Sequence, residues 1–167
     1  MFNLLLMKDL LLNYTRYNLR ANKLLCDVMA ALTDEQIDME IVSSFPSIRK
    51  TVYHMWGAED IWKRRLSRES TDTWAPKHFK GAFTEALQSW QDTSQWYIDF
   101  IQAAGDELLL GNLTYKNMAG DEYTNSVRDI VQHVMNHSTY HRGQLVTMLR
   151  QAGVTEIPST DYIAFLR

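Results

Sequence analysis

Apolar residues recur at helical spacing in four long segments, and the prolines and glycines collect mostly in the polar stretches between them. In the first segment Leu10, Tyr14, Tyr17, Ala21, Leu24, Val28 and Leu32 fall three or four residues apart, which predicts a helix running to Thr33-Asp34. The second follows SSFPS, with Ser47 placed to cap it, and carries Val52, Met55, Trp56, Trp62 and Leu66. Residues 70–81, STDTWAPKHFKG, read as a loop. The third helix is expected from Phe83 to Ala103 through Leu87, Trp90, Ser94, Tyr97 and Ile101, stopping before Gly105. The fourth opens behind Thr124 or Ser126, passes Val127, Ile130, Val134, Leu145, Met148 and Leu149, and ends at Gly153.

Residues 112–123 alternate weakly around Ala119-Gly120-Asp121, which allows a short β-hairpin between the third and fourth helices. Four amphipathic helices with one apolar face each satisfy those faces by packing together. The expected fold class is therefore all-α, a four-helix bundle, as a single domain over residues 1–167.

Composition narrows the partners. A hydrophobic share of 46% supports one sizeable core, and a net charge of −3 with mixed signs offers no basic field for a phosphate backbone, so no nucleic acid is expected. The amino terminus holds six leucines in its first twelve residues. Lys8 and Asp9 interrupt that run, and it lacks the basic flank and small-residue site of a signal peptide, so it reads as the start of the first helix. The first six residues are expected to be an extension of little consequence. No uncharged run approaches the roughly 20 residues needed to cross a bilayer, so no membrane partner is expected. A lone Cys26 excludes an internal disulfide and suits a reducing, cytoplasmic setting.

One stretch is not explained by core building: HVMNHSTYHRGQL, residues 133–145. Four residues advance a helix by about 40°, so His133, His137 and His141 share one strip. With Val134 at the centre of the apolar face, His141 lies about 20° from it, His137 about 60° and His133 about 100°. Inward imidazoles need partners, since an unsatisfied buried nitrogen costs roughly 1–3 kcal/mol. A divalent metal answers that need, because neutral imidazoles at i and i+4 can aim at one point. Ordinary hydrogen bonding answers it equally well on periodicity alone.

The same stretch closely resembles the signature of the DinB-like (damage-inducible) superfamily of four-helix-bundle metal proteins. YNLRANKLL, SIRKTVYHMWGAEDIWKRRL and LRQAGVTEIPSTDYIAFLR extend the resemblance over nearly the whole chain. The resemblance implies a metal held by His54 of the second helix together with His137 and His141 of the fourth. Helical geometry does not choose His54 independently: it falls on the flank of its stripe, whereas Glu59 falls inside, which leaves Glu59 as a ligand candidate ranked well below His54 and as a residue that could accept a hydrogen bond from a ligand. Arg20 stands where family members often carry an aromatic residue.

The other candidates divide between chemistry and packing. Gln144 is placed either to orient a ligand or to pack as a plain amide. His133 reads as a solvated flank with a pocket role as the alternative, and Arg142, on the other flank, as an ion-pair or interface residue. The tryptophans read chiefly as core, with Trp74 and His78 able to line a pocket mouth. Cys26 lies off the predicted stripe without a basic neighbour and is discounted as a nucleophile.

Three neutral histidines leave a divalent transition metal, zinc or nickel, with its full charge and an open position. Bound to zinc, water ionises near pH 7, and a thiol would equally bind as thiolate, so one site admits hydrolysis or transfer to a thiol. The resemblance implies a transferase using a low-molecular-weight thiol cosubstrate, in detoxification or stress response, on a small-molecule substrate. A hydrolase and a non-catalytic metal-binding bundle are the alternatives. It also implies a homodimer.

Overall fold

The computed structural model describes residues 2–167, with side chains from Leu6 onward. Most of the extension expected at the amino terminus therefore lies outside the described side chains. Four long helices, α1 (Phe2–Met29), α3 (Ile48–Leu66), α4 (Phe83–Ala103) and α6 (Val127–Gln151), form the bundle. Short helices α2 (Asp34–Asp38), α5 (Asp106–Leu110) and α7 (Tyr162–Phe165) sit in the connections and at the end. Strands β1 (Asn112–Lys116) and β2 (Glu122–Ser126) pair antiparallel as the hairpin, with Thr114 opposite Thr124 and Gly120 in the turn at φ +92°.

Capping sets the helix starts. The Ser47 hydroxyl accepts from the Lys50 amide at 3.3 Å and opens α3, and Ser126, not Thr124, caps α6 by accepting from the Asp129 amide at 3.2 Å. Thr124 is occupied in β2, paired through its hydroxyl with Thr114 at 2.8 Å. The first helix stops sooner than its pattern suggested, at Met29, and a capping box of Thr33 and Gln36 starts α2.

Helix α1 packs on α4 and α6, and α3 packs on the same two, so the successive long helices α1 and α3 stand diagonally across the bundle. The core divides into two apolar clusters. One holds Leu25, Met29, Val52, Met55, Trp56, Trp90, Leu145 and Leu149; the other holds Leu11, Leu66, Tyr97, Ile101, Ile130 and Val134. The order in which each helix meets them gives its direction: α1 and α6 run one way, α3 and α4 the other.

Between the clusters lies a polar layer to which every long helix contributes: Asn18 and Asn22, Glu59, Ser94, and Ser138 with Arg142. This layer corrects the predicted seam of α1. Leu10 is 62% exposed and Leu24 and Val28 are only half-buried, while Leu11, Thr15, Asn18, Asn22, Leu25 and Met29 face inward. Cys26 is likewise buried within the core. Of the tryptophans, Trp56 and Trp90 are core, whereas Trp62, Trp74 and Trp96 are half-buried.

Candidate metal centre

His54 stands near the middle of α3, and His137 and His141 stand one turn apart on the antiparallel α6. Their side chains meet. Nε2 of His137 lies 3.0 Å from Nε2 of His54 and 3.1 Å from Nε2 of His141, and one ring nitrogen from each lies within 4.8 Å of the others. Among the described residues this is the one group of three or more histidine, cysteine or acidic side chains so arranged.

Hydrogen bonding within the trio does not satisfy it. The Gln144 amide nitrogen donates to the Ser44 hydroxyl at 2.9 Å, so its Oε1 faces His141 Nδ1 at 2.7 Å and can only accept. The proton of neutral His141 is thus on Nδ1, and its Nε2 turns a lone pair toward the other two rings. A single N–H on His137 Nε2 can serve only one of its two neighbours. A cation accepting all three lone pairs serves every one. Imidazole nitrogens bound at about 2.0–2.1 Å in a tetrahedral shell stand roughly 3.3 Å apart, close to the spacing seen here, so donor set and geometry both fit a divalent metal.

The electrostatics agree. Burial first, and then the neighbouring imidazoles, push the pKa of His54 and His137 down to about 4. Burial also lowers His141, against the hydrogen bond to Gln144 that raises it. The trio is neutral at pH 7, the form in which imidazole ligates.

Behind the rings sits the polar layer. Glu59 is 0% exposed, and its carboxylate accepts from Asn18 at 3.1 Å, Asn22 at 3.2 Å, Ser138 at 3.0 Å and Ser94 at 2.6 Å. Arg142, 1% exposed, donates to the side-chain oxygens of Asn18, Asn22 and Thr139. Two of the expectations are corrected here. Glu59 hydrogen-bonds none of the three histidines; it anchors residues beside them. Arg142, expected on the flank as an ion-pair or interface residue, is a buried cation that reaches Glu59 through two asparagines. Its position near the core side of α6, one residue from His141, carries it inward rather than onto the flank.

The remaining candidates fall into place. Gln144 orients His141. His133 is exposed, its ring edge-on to Trp62 at 5.5 Å, and it does not join the trio. Trp74 covers Gly57 on α3, where an added Cβ would come within 2.6 Å of its ring, and His78 is exposed. Burial raises the Cys26 thiol far above its usual pKa, which supports discounting it as a nucleophile. Two further residues at the site carry no periodic signal in the sequence. Phe45 stacks on His54 with ring centroids 4.1 Å apart, and Ser44 holds Gln144. They lie in SSFPS, which has no period to reveal which side chains turn inward.

The fold and site define a class: a helical bundle, with α1 and α3 diagonal, that carries a three-histidine cluster between α3 and α6. The chain belongs to the DinB family, whose model matches residues 3–167. It is 32% identical over 167 residues to Protein DinB of Bacillus subtilis (strain 168), covering 96% of this chain and 95% of that one. Solved structures share the fold. A DinB-like protein from Bacillus subtilis superposes with a TM-score of 0.70 at 13% identity, covering 89% of this chain and 97% of that one. One from Bacillus cereus ATCC 10987 gives 0.66 at 19% identity, over 86% and 91%. YfiT from Bacillus subtilis, a probable metal-dependent hydrolase with an unusual four-helix bundle topology, gives 0.63 at 14% identity, over 89% of each chain.

Proposed function

We propose that this chain is a metal-dependent enzyme in which His54, His137 and His141 hold a divalent transition metal, zinc or nickel, and that it transfers an organic group to a low-molecular-weight thiol. The observation that carries the proposal is the convergence of three neutral imidazoles from two helices on one point, with the tautomer of His141 set by Gln144. Held by neutral ligands only, such a metal keeps its full charge and supplies Lewis acidity to a molecule at its open positions.

The chain's own residues support access and exclude a protein thiol. His137 borders an open face of α6 that also carries Asp129, Gln132, His133, Asn136 and Tyr140, so the trio can be approached from solvent. Cys26 is buried, so the sulfur must come from a cosubstrate. In the transfer an S–C bond forms as the substrate's bond to its leaving group breaks, and the thiol proton departs to solvent or to that group.

A hydrolase is the second reading. It is favoured by the likeness to YfiT and by His133, which lies one turn from His137 on the same open face of α6 and could take a proton from water. The two separate in one experiment on cobalt-substituted, untagged protein. Titration with a panel of small thiols is expected to raise a sulfur-to-cobalt charge-transfer band. No band with any thiol, together with cleavage of ester or amide substrates, reverses the ranking.

A further inference from the structure

The turn between α2 and α3 touches both ligand-bearing helices at the metal centre. Ile41 is buried in the core at one end, Ser47 is the buried cap of α3 at the other, and the Ile41 amide closes the turn on the Pro46 carbonyl at 3.0 Å. From this anchored segment Phe45 lays its ring nearly parallel to His54, at 4.1 Å and 25°, and reaches His141 at 5.8 Å. Ser44, next to it, accepts from the Gln144 amide that holds His141.

An imidazole turns easily about its last torsion, which is broad and roughly two-fold, so a helix places the ring but does not fix its plane. The plane is set by what packs on it and by what its far nitrogen bonds. For His54 a flat aromatic face lies against the ring; for His141 the Gln144 oxygen holds Nδ1. Both constraints originate in two adjacent residues of one turn.

We propose that the turn from Ile41 to Ser47 is a positioning element of the metal centre, in which Phe45 sets the plane of His54 and Ser44, by steadying Gln144, sets the plane of His141. This rests on the metal reading above and adds that ligand geometry is set in part from outside the bundle helices. Residues that orient metal ligands typically account for about 10- to 100-fold in affinity.

The test uses the full chain with Phe45→Leu, Phe45→Tyr and Ser44→Ala, measuring zinc affinity by competition with a chromogenic chelator and the visible spectrum of the cobalt form. Phe45→Leu keeps apolar bulk and loses the flat face; it is expected to weaken zinc binding about tenfold or more and to change the cobalt ligand-field bands. Ser44→Ala, at an exposed site that does not endanger folding, is expected to do the same. Phe45→Tyr retains the face and is expected to behave as wild type. Wild-type affinity and spectrum in Phe45→Leu or in Ser44→Ala, or a Phe45→Tyr as weak as Phe45→Leu, overturns the positioning role alone. Wild-type chain that takes up neither zinc nor cobalt overturns the metal reading itself.

Discussion

Imidazole binds a metal through a lone pair, so protons and metal compete for the same nitrogen. A folded pKa near 4 for His54 and His137, held down first by burial and then by neighbouring rings, moves that competition well below the ordinary histidine range. The direction for stability follows: between the lowered folded pKa and about 6.5 the unfolded chain binds more protons, so the stabilisation is present above about pH 6.5 and is lost as pH falls toward 4. Metal content after equilibrium dialysis is expected to stay constant from pH 7.5 to 6 and to fall as pH approaches 4. Release centred near pH 6.5 would mean that the rings titrate as exposed histidines. At this scale the sequence was informative where a helix has one inward face. On α6 the angle from Val134 placed His141 inward and His137 beside it, as found. On α3 the inward face is broad, with Thr51, Val52, Met55, Glu59 and Asp60 all buried, so His54 at its edge could not be chosen by angle.

At the scale of the helices, one buried layer connects all four to the histidine cluster. Glu59 lies on the helix of His54; Ser138 and Arg142 follow His137 and His141 directly; Asn18 and Asn22 of α1 join the two charges. Removing one member of a buried charge pair typically costs about 3–5 kcal/mol, because the other is left uncompensated, whereas removing both costs less than the sum. Glu59→Leu and Arg142→Leu are each expected to lower the urea midpoint sharply, and the double variant to fall short of additivity. Additive losses would show that the two charges do not communicate through the asparagines. The same layer explains why the stripe on the first helix is only partly right: Tyr17 and Ala21 are buried, but an apolar-stripe search passes over Thr15, Asn18 and Asn22, which are fully inward, and drifts by one residue to Leu10 and Leu24. Helices whose inward residues are mainly apolar, such as α4 with Leu87, Trp90, Tyr97 and Ile101, were legible to their ends.

For the whole molecule, the chain path matters more than helix count. A long connection through α2 carries the chain from α1 to a diagonal position, so α3 meets α6 rather than α1, and the three clustered histidines come from segments far apart in sequence. Helical periodicity has no access to that crossover, since it reports the faces of helices and not their neighbours. A metal bridging His54 to His137 and His141 would join two antiparallel helices that each also pack on α4 or α1, and would bind the folded chain in preference to the unfolded one. A ligand at about 100 times its dissociation constant adds about 2.7 kcal/mol to stability, which for a chain of this size raises the melting temperature by roughly 5–10 °C. Thermal melts of metal-free protein, with and without added zinc, are expected to differ by that amount, and excess chelator should restore the lower value. In His137→Ala the shift should vanish, since that ring contacts both of the others and the remaining two nitrogens belong to different helices. An equal shift in that variant would place the stabilising zinc elsewhere on the surface and detach the histidine cluster from the stability of the bundle.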